Sequence, residues 1–565
     1  MNILRILKPK DHRANQKKND QQSLAPLVAS GILTSRFLGL VRWSVTARYF
    51  GSGPHADVLR AAFQAPNALQ NLLGEGTMSA AFIPVYSKLL DEGKLEAAGR
   101  FAGSILGLMI ATVSIGVLAG ILLAHPICSI LMRGFVGDAA EVVAGIREFD
   151  RLLLAVDMVR IAFPMAGVLV LSSWTLAVLN SHRLFHIPYL APVIWNITII
   201  ASLMGVAYLT GYTFKGHENY YLPDVLTQML ITVFIAGTIG GMLQFLIQLP
   251  AVFTVIKGFR LSLSTNVEGV RKALRAIGPA LAGRGVAQLS AYIDILLATL
   301  LVQGSVASIG YAQVLYILPI SLFGLSVAAA ELPELSRLAS KSMSQMADRI
   351  RSGLRQGLFL AIPTALGYIS LGYVIIGMIY KGGLFDADDN WLAYIILATY
   401  SLGLLATVSS RLLQNGFWAL EDTQTPARLA AVRAVVSVLI AIPTMFALDH
   451  YSVSLIPVVE TSPLYFGAVG LAAGSSVGAW IEWWLLQRGL RQRLQIDFVP
   501  WNAVGMMMLF VIIALPLAFV VWYLTQGWPP LFNGVSVIGV FAGGYLGLAY
   551  YRKMPELKAW IKIYQ

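Results

Sequence analysis

The residues in this 565-residue chain best placed for chemistry lie where chemistry is least expected. The mostly apolar stretch 30–88 carries Arg36, Arg42, Asp57, Arg60, Asn67, Gln70, Asn71 and Glu75. At about 100° per residue, Asp57, Arg60, Gln64, Asn67, Asn71 and Glu75 fall within an arc of about 80° on one helix face. At about 1.5 Å per residue the stripe runs about 27 Å. A charged side chain deep in a bilayer costs about 2.5–3.5 kcal/mol on insertion scales, and it is tolerated when it faces protein or water. Asp57 and Arg60 are one turn apart and can pair. The chemistry this points to is anion binding, because a guanidinium meets a phosphate through two parallel hydrogen bonds. The stripe reads as a cavity wall; the alternative is a polar seam that joins helices. Arg36 and Arg42 stand too deep in their apolar run to snorkel to an interface. A later helix repeats the theme with Arg284, Gln288 and Asp294 on about a third of its circumference. An ion pair between Arg284 and Asp294 is the structural alternative there.

The elements that must position these residues are membrane helices. The chain is 57% apolar and 12% charged, with a mean hydropathy of +0.69, against about 25% charged in a soluble domain. Fourteen apolar runs are long enough to cross a hydrocarbon core of about 30 Å. Spans 1 to 7 cover 26–50, 56–88, 101–125, 151–180, 187–211, 223–256 and 268–301. Spans 8 to 14 cover 305–338, 351–380, 391–420, 427–448, 464–489, 502–525 and 531–551. Loops on one side are rich in Lys and Arg, such as Lys88, Lys94 and Arg100 or Arg337, Lys341 and Arg349. Opposite loops are balanced by acid, as in Asp386, Asp388 and Asp389 beside Lys381. The net charge of +12 is thus a topology signal rather than a nucleic-acid footprint, and it places both termini in the cytoplasm. Residues 1–25 read as a basic cytoplasmic tail.

An internal repeat organises the spans. AAFIPVYSKL (80–89) matches AAELPELSRL (329–338), and SRFLGLV (35–41) faces GRGVAQL (283–289), which makes Arg284 the counterpart of Arg36. The reading is two six-helix lobes, 26–256 and 257–495, with two further helices in 496–565. Such parallel repeats place a substrate site near the midplane. The single Cys128 excludes an intramolecular disulfide. We find no SxxK nucleophile, nucleotide loop or metal-ligand spacing, so a transporter is expected rather than an enzyme.

SRFLGLVR (35–42), the 62–85 segment ending GEGTMSAAFIPV, GGMLQFLIQLP (240–250), LFDADD (384–389) and the 400–430 segment with DTQTP resemble the MurJ (MviN) family. That family belongs to the multidrug/oligosaccharidyl-lipid/polysaccharide exporter superfamily. The resemblance covers nearly the whole chain. It implies an all-α polytopic fold of fourteen helices and outward flipping of lipid II, the undecaprenyl-linked peptidoglycan precursor, by alternating access in the bacterial inner membrane. It also implies a cationic central cavity and a groove by the last two helices for the polyprenyl tail. Arg36 and Arg42 match the family's span-1 arginines, and Asp57 its span-2 acid. Gln70 and Asn71 replace an arginine, and the run Tyr311–Pro319 lacks the family's Asp, Arg and acid, with Gln313 in the Asp position. The expected substrate-binding set is therefore Arg36, Arg42, Asp57, Arg60, Asn67, Gln70, Arg284 and Gln313, with Arg60 and Arg284 as relocated charges. No cofactor or metal is expected. Coupling would come from the membrane potential, H+ or Na+, with Asp57 and Asp294 as candidate carriers. The chain is expected to act as a monomer beside cell-wall synthesis proteins. Rival readings are a drug/cation antiporter, an exporter of another polyprenyl-linked oligosaccharide, and a non-transporting scaffold.

Overall fold

The computed structural model describes residues 17–211, 223–339, 341–455 and 463–558. The basic tail before residue 17 lies outside them. The described chain is helical, and its β-structure is confined to two isolated bridges, Gly382 with Phe385 and Ser452 with Tyr465. Among the described residues, 9 helices are long and apolar enough to cross a membrane, or 10 with the bent pair Ala387–Leu402 and Leu404–Ala419 counted as one. These are spans 3 to 6, 8 to 11, 13 and 14. Spans 1, 2, 7 and 12 are helical too, but they are the charged ones. Lys17–Phe50 and Val270–Thr299 carry several arginines along their length, span 2 is broken, and Gly467–Leu494 holds Glu482, Arg488, Arg491 and Arg493. Fourteen apolar crossings are therefore not reached by composition alone.

Two spans are interrupted. Span 2 continues through Pro66 as Pro54–Leu73 and breaks at Gly74, then again at Phe82. The break needs glycine: a Cβ at Gly74 would sit 2.3 Å from the Gln70 carbonyl oxygen. Span 8 runs Ser305–Pro319, then a π-helical turn Ile320–Leu325, then Ser326–Ala339. Wide turns of this kind leave backbone groups displaced from the regular ladder and recur at functional sites.

The chain forms two compact units, 1–46 with 58–296 and 47–57 with 297–565. Residues 268–296 of span 7 thus group with the first unit. In that unit Phe82, Tyr86, Phe101 and Trp174 form a buried aromatic core, and the Trp174 indole donates to the Ala102 carbonyl at 3.1 Å. Gly99, Gly103 and Gly107 line one edge of span 3. Any Cβ there would come within 2.2 Å of the backbone oxygen of Lys257, Arg260 or Ser262, so the extended segment 256–264 lies directly on the helix, as small residues at this spacing permit. The second unit packs spans 9, 10, 12, 13 and 14 around Phe359, Leu413, Phe417 and Phe510.

Candidate functional site

The polar stripe of span 2 opens on a cavity of about 470 Å³ inside the first unit. Arg42 and Trp43 reach it from span 1; Arg60, Asn67, Gln70 and Glu75 from span 2; Ser172 and Ser173 from span 4; Trp195 and Asn196 from span 5; Gln244 and Gln248 from span 6. Its size lies within the range of about 300–1,000 Å³ usual for small-molecule sites.

Arg42 is held by neutral partners. Its Nε donates to Asn196 Oδ1 at 3.0 Å, and its guanidinium lies 5.0 Å from the Trp43 ring and 4.7 Å from that of Trp195. Arg60 approaches the same Trp43 ring at 5.7 Å. Two cations thus approach one indole, and a ring face orients a guanidinium through its quadrupole. The supports are themselves tied down. Asn196 Nδ2 donates to the Pro192 carbonyl at 3.0 Å, which turns its oxygen to Arg42, and the Trp195 indole donates to the Gly237 carbonyl at 2.9 Å. Across the cavity, Gln248 is 1% exposed. Its Nε2 donates to Ser172 Oγ at 2.8 Å and to the Gln244 carbonyl at 2.7 Å, while its Oε1 has no partner among the described residues. The wall therefore offers fixed cations on one side and an unused acceptor on another. Glu75 is the one carboxylate among the described lining residues.

Of the residues expected from sequence, Arg42, Arg60, Asn67 and Gln70 come together here. Arg36 stands exposed on span 1 and is not among the lining residues. Asp57 is 1% exposed and serves another end: its Oδ2 accepts from Gly304 N at 2.6 Å and its Oδ1 from Ala307 N at 2.9 Å. It closes the N-terminus of span 8, whose first amides have no intrahelical acceptor. Asp57 thus caps span 8 and is not among the residues that line the cavity. Asp294 is exposed on span 7, and the Arg284 side chain lies outside the described residues. Gln313 belongs to the second unit, where its Nε2 donates to Tyr400 Oη at 3.3 Å.

Sequence reasoning passed over Trp43, Trp195, Asn196, Gln244 and Gln248. The signal was present: an Asn in an apolar run, and two Gln four apart on one face, where each needs a polar neighbour. It also passed over the second unit's acids. Glu482 accepts from Gln414 Nε2 and from Arg433 Nη1, both at 3.0 Å. The family-like DTQTP run is a turn. Asp422 accepts from Thr425 N at 2.9 Å and Thr425 Oγ1 at 2.6 Å, and it pairs with Arg493 at 2.5 Å. Those hydrogen bonds from Thr425, with Arg493 behind them, hold the Asp422 carboxyl well below the usual range.

A family model described as "Lipid II flippase MurJ" matches residues 46–541. The "Lipid II flippase MurJ" of Burkholderia cenocepacia is 30% identical over 475 residues, covering 83% of this chain and 84% of that protein. The "Probable lipid II flippase MurJ" of Haemophilus influenzae is 28% identical over 501 residues, 87% of this chain and 90% of that one. Among solved structures, "Lipid II flippase MurJ, inward closed conformation" superposes with a TM-score of 0.67 at 23% identity, over 94% of this chain and all of that one. An inward-facing multidrug resistance MATE transporter of the MOP superfamily gives 0.58 at 16% identity, over 82% and 94%. At those identities the two structures speak to the fold alone.

Proposed function

The chain belongs to the MurJ family of lipid II flippases, and from that membership and the cavity in its first unit we infer how it handles its cargo. It is a multi-pass protein of the bacterial inner membrane that flips lipid II from the inner to the outer leaflet for peptidoglycan synthesis. Its ligand is lipid-linked and anionic, and its surroundings are membrane lipids.

The observation that carries the mechanism is the pair Arg42 and Arg60 on one indole. The pyrophosphate of lipid II meets these two guanidiniums, each able to give paired hydrogen bonds. Asn67, Gln70 and the free Oε1 of Gln248 take the hydroxyl and amide donors of the sugar and peptide. The hydrocarbon tail stays in the bilayer. Release outside follows a change in the side to which the cavity opens, as in alternating access. The membrane potential, inside negative, favours outward movement of the anionic head by about 2.3 kcal/mol per charge per 100 mV. Both termini face the cytoplasm. A drug/cation antiporter would need the opposite lining, acids and aromatics, and the cations here disfavour it.

The test is rescue of cells depleted of their own flippase, read together with lipid II at the outer leaflet. The wild-type chain restores both, and the Arg42→Ala, Arg60→Ala double variant restores neither. A wild-type chain that reaches the membrane yet restores nothing would remove the flippase reading. A double variant that flips normally would remove the assignment of the pyrophosphate to these arginines.

A further inference from the structure

The arginine cavity has a second pole that the mechanism above leaves unused. Arg42 and Arg60 mark one end of it, and Glu75 lines the same cavity further along span 2. The helix between Arg60 and Leu73 covers about 20 Å at about 1.5 Å per residue. The other polar residues of the described lining, Asn67, Gln70, Ser172 and Gln244 among them, are neutral. The cavity therefore carries fixed positive charge toward one end and a single negative charge toward the other.

The carboxylate owes its place to the break in span 2. One helix stops at Leu73 and the next starts with Glu75. The break is fastened on both sides. Gly74 N donates to the Gln70 carbonyl at 2.8 Å, and Thr77 N and Met78 N each donate to the Gly74 carbonyl at 3.1 Å. The hydroxyl of the buried Thr77 donates to the Leu72 carbonyl across the gap. The Glu75 side chain itself is exposed, and among the described residues it forms no ion pair or hydrogen bond. A carboxylate in the wall of an anion site repels its cargo wherever the two come close, so it suits an anionic cargo only where that cargo carries positive charge. About 20 Å exceeds the screening length of about 8 Å at physiological salt, so Glu75 leaves the attraction of a phosphate to the arginines intact.

We propose that Glu75 selects the free amino group on the peptide stem of the cargo, an inference that rests on the flippase reading. Lipid II is anionic at its pyrophosphate and at the carboxyls of its peptide. The stem also contains a diamino acid, whose second amino group is an ammonium at neutral pH. With the pyrophosphate on Arg42 and Arg60, the head extends along span 2. Its hydroxyls and amides meet Asn67, Gln70 and Ser172, and the ammonium donates to the Glu75 carboxylate in a charge-assisted hydrogen bond. Recognition at two poles reads the length of the head as well as its charge. A polyprenyl-linked lipid that shares the phosphate but lacks the amine fills the arginine end alone, and Glu75 thereby separates the finished precursor from it.

The experiment uses the full-length protein in proteoliposomes and three forms of lipid II: unmodified, acetylated at the stem amine, and dimethylated there. Acetylation removes the positive charge, whereas dimethylation adds similar bulk and keeps it. The wild-type chain should flip the dimethylated form about as fast as the unmodified one and the acetylated form about 10–100-fold more slowly, the span of one hydrogen bond to a charged group. Glu75→Gln should flip all three at the same lowered rate, and Glu75→Asp should recover part of the preference. Arg42→Ala should slow all three while leaving the ratio between them unchanged, which separates the amine pole from the phosphate pole. Equal rates for the acetylated and dimethylated forms in the wild type, or a preference that survives in Glu75→Gln, would overturn the proposal and leave the flippase reading standing. A wild-type chain that moves none of the three would overturn both.

Discussion

The first unit's cavity and the second unit's core treat their arginines differently. In the second unit the guanidiniums meet buried carboxylates: Arg349 with Glu331 at 2.9 Å, Arg433 with Glu482 at 3.0 Å, and Arg355 with Glu556 at 2.5 Å. The three acids are each 3% exposed or less. In the first unit's cavity, Arg42 rests on an amide oxygen and two indoles. A guanidinium facing a carboxylate is neutralised as a pair and works as a strut. One held by neutral dipoles and ring faces keeps its charge for an incoming anion. The identity of the partner, rather than the presence of arginine, therefore separates scaffold from site.

That contrast can be broken most directly at a strut. Glu482→Ala would leave Arg433, about a quarter exposed, without its buried acid and should cost about 1–3 kcal/mol, because a partly buried charge loses its hydrogen-bonded partner. Thermal unfolding in detergent reads this, and a variant as stable as wild type would mean that the pair is not a strut. Arg42→Ala should do the reverse. Lost charge-assisted hydrogen bonds of about 1.5–3 kcal/mol correspond to about a 10–100-fold fall in lipid II flipping, while the melting temperature moves little, since no buried acid is orphaned. A large loss of stability with transport retained per folded molecule would erase the distinction between the units.

Asp57 sharpens the comparison from the acidic side. Its carboxylate spans two amides of span 8, so Asp57→Ala should lower stability by about 1–2 kcal/mol, as loss of a cap does, with Asp57→Asn recovering part of it. If both variants kept wild-type melting but lost transport at different pH values, Asp57 would be a proton carrier and not a cap. The smallest effect belongs to Asp422, outside the membrane. Its folded pKa is depressed, first by Thr425 and then by Arg493. Its contribution to stability is therefore complete above the ordinary aspartate range and fades as pH falls from there toward the depressed value. Asp422→Asn should flatten the acid limb of a melting-temperature profile, and an unchanged limb would assign acid sensitivity elsewhere.

Much of this was legible in the residues. Hydropathy set out some spans closely, as in span 4, expected over 151–180 and found as Arg151–Ser181, whereas span 9, expected from 351, begins at Met343. The 3.6-residue period found the polar face of span 2, and Arg42, Arg60, Asn67 and Gln70 do share a cavity. Asp57 lies on the same arc as Arg60 yet turns to another task. Phase gives the direction of a side chain about its own helix, but not which neighbour stands there at that depth. Trp195 and Asn196 were hidden for the same reason, since their role exists only once span 5 lies against span 1.

By itself, then, the chain's composition and periodicity determined a helical membrane protein with cations too deep for lipid, because hydrophobic length and charge depth are properties of each segment taken alone. The tertiary structure decided which of those cations remain available. Whether a guanidinium is neutralised depends on what stands within about 4 Å, and that neighbour can come from far along the chain: Arg42 meets the neutral amide of Asn196, 154 residues away, and keeps its charge. Residues 30–88 supply the arginines of this cavity, and spans 4, 5 and 6 supply further hydrogen bonds and a ring face around them.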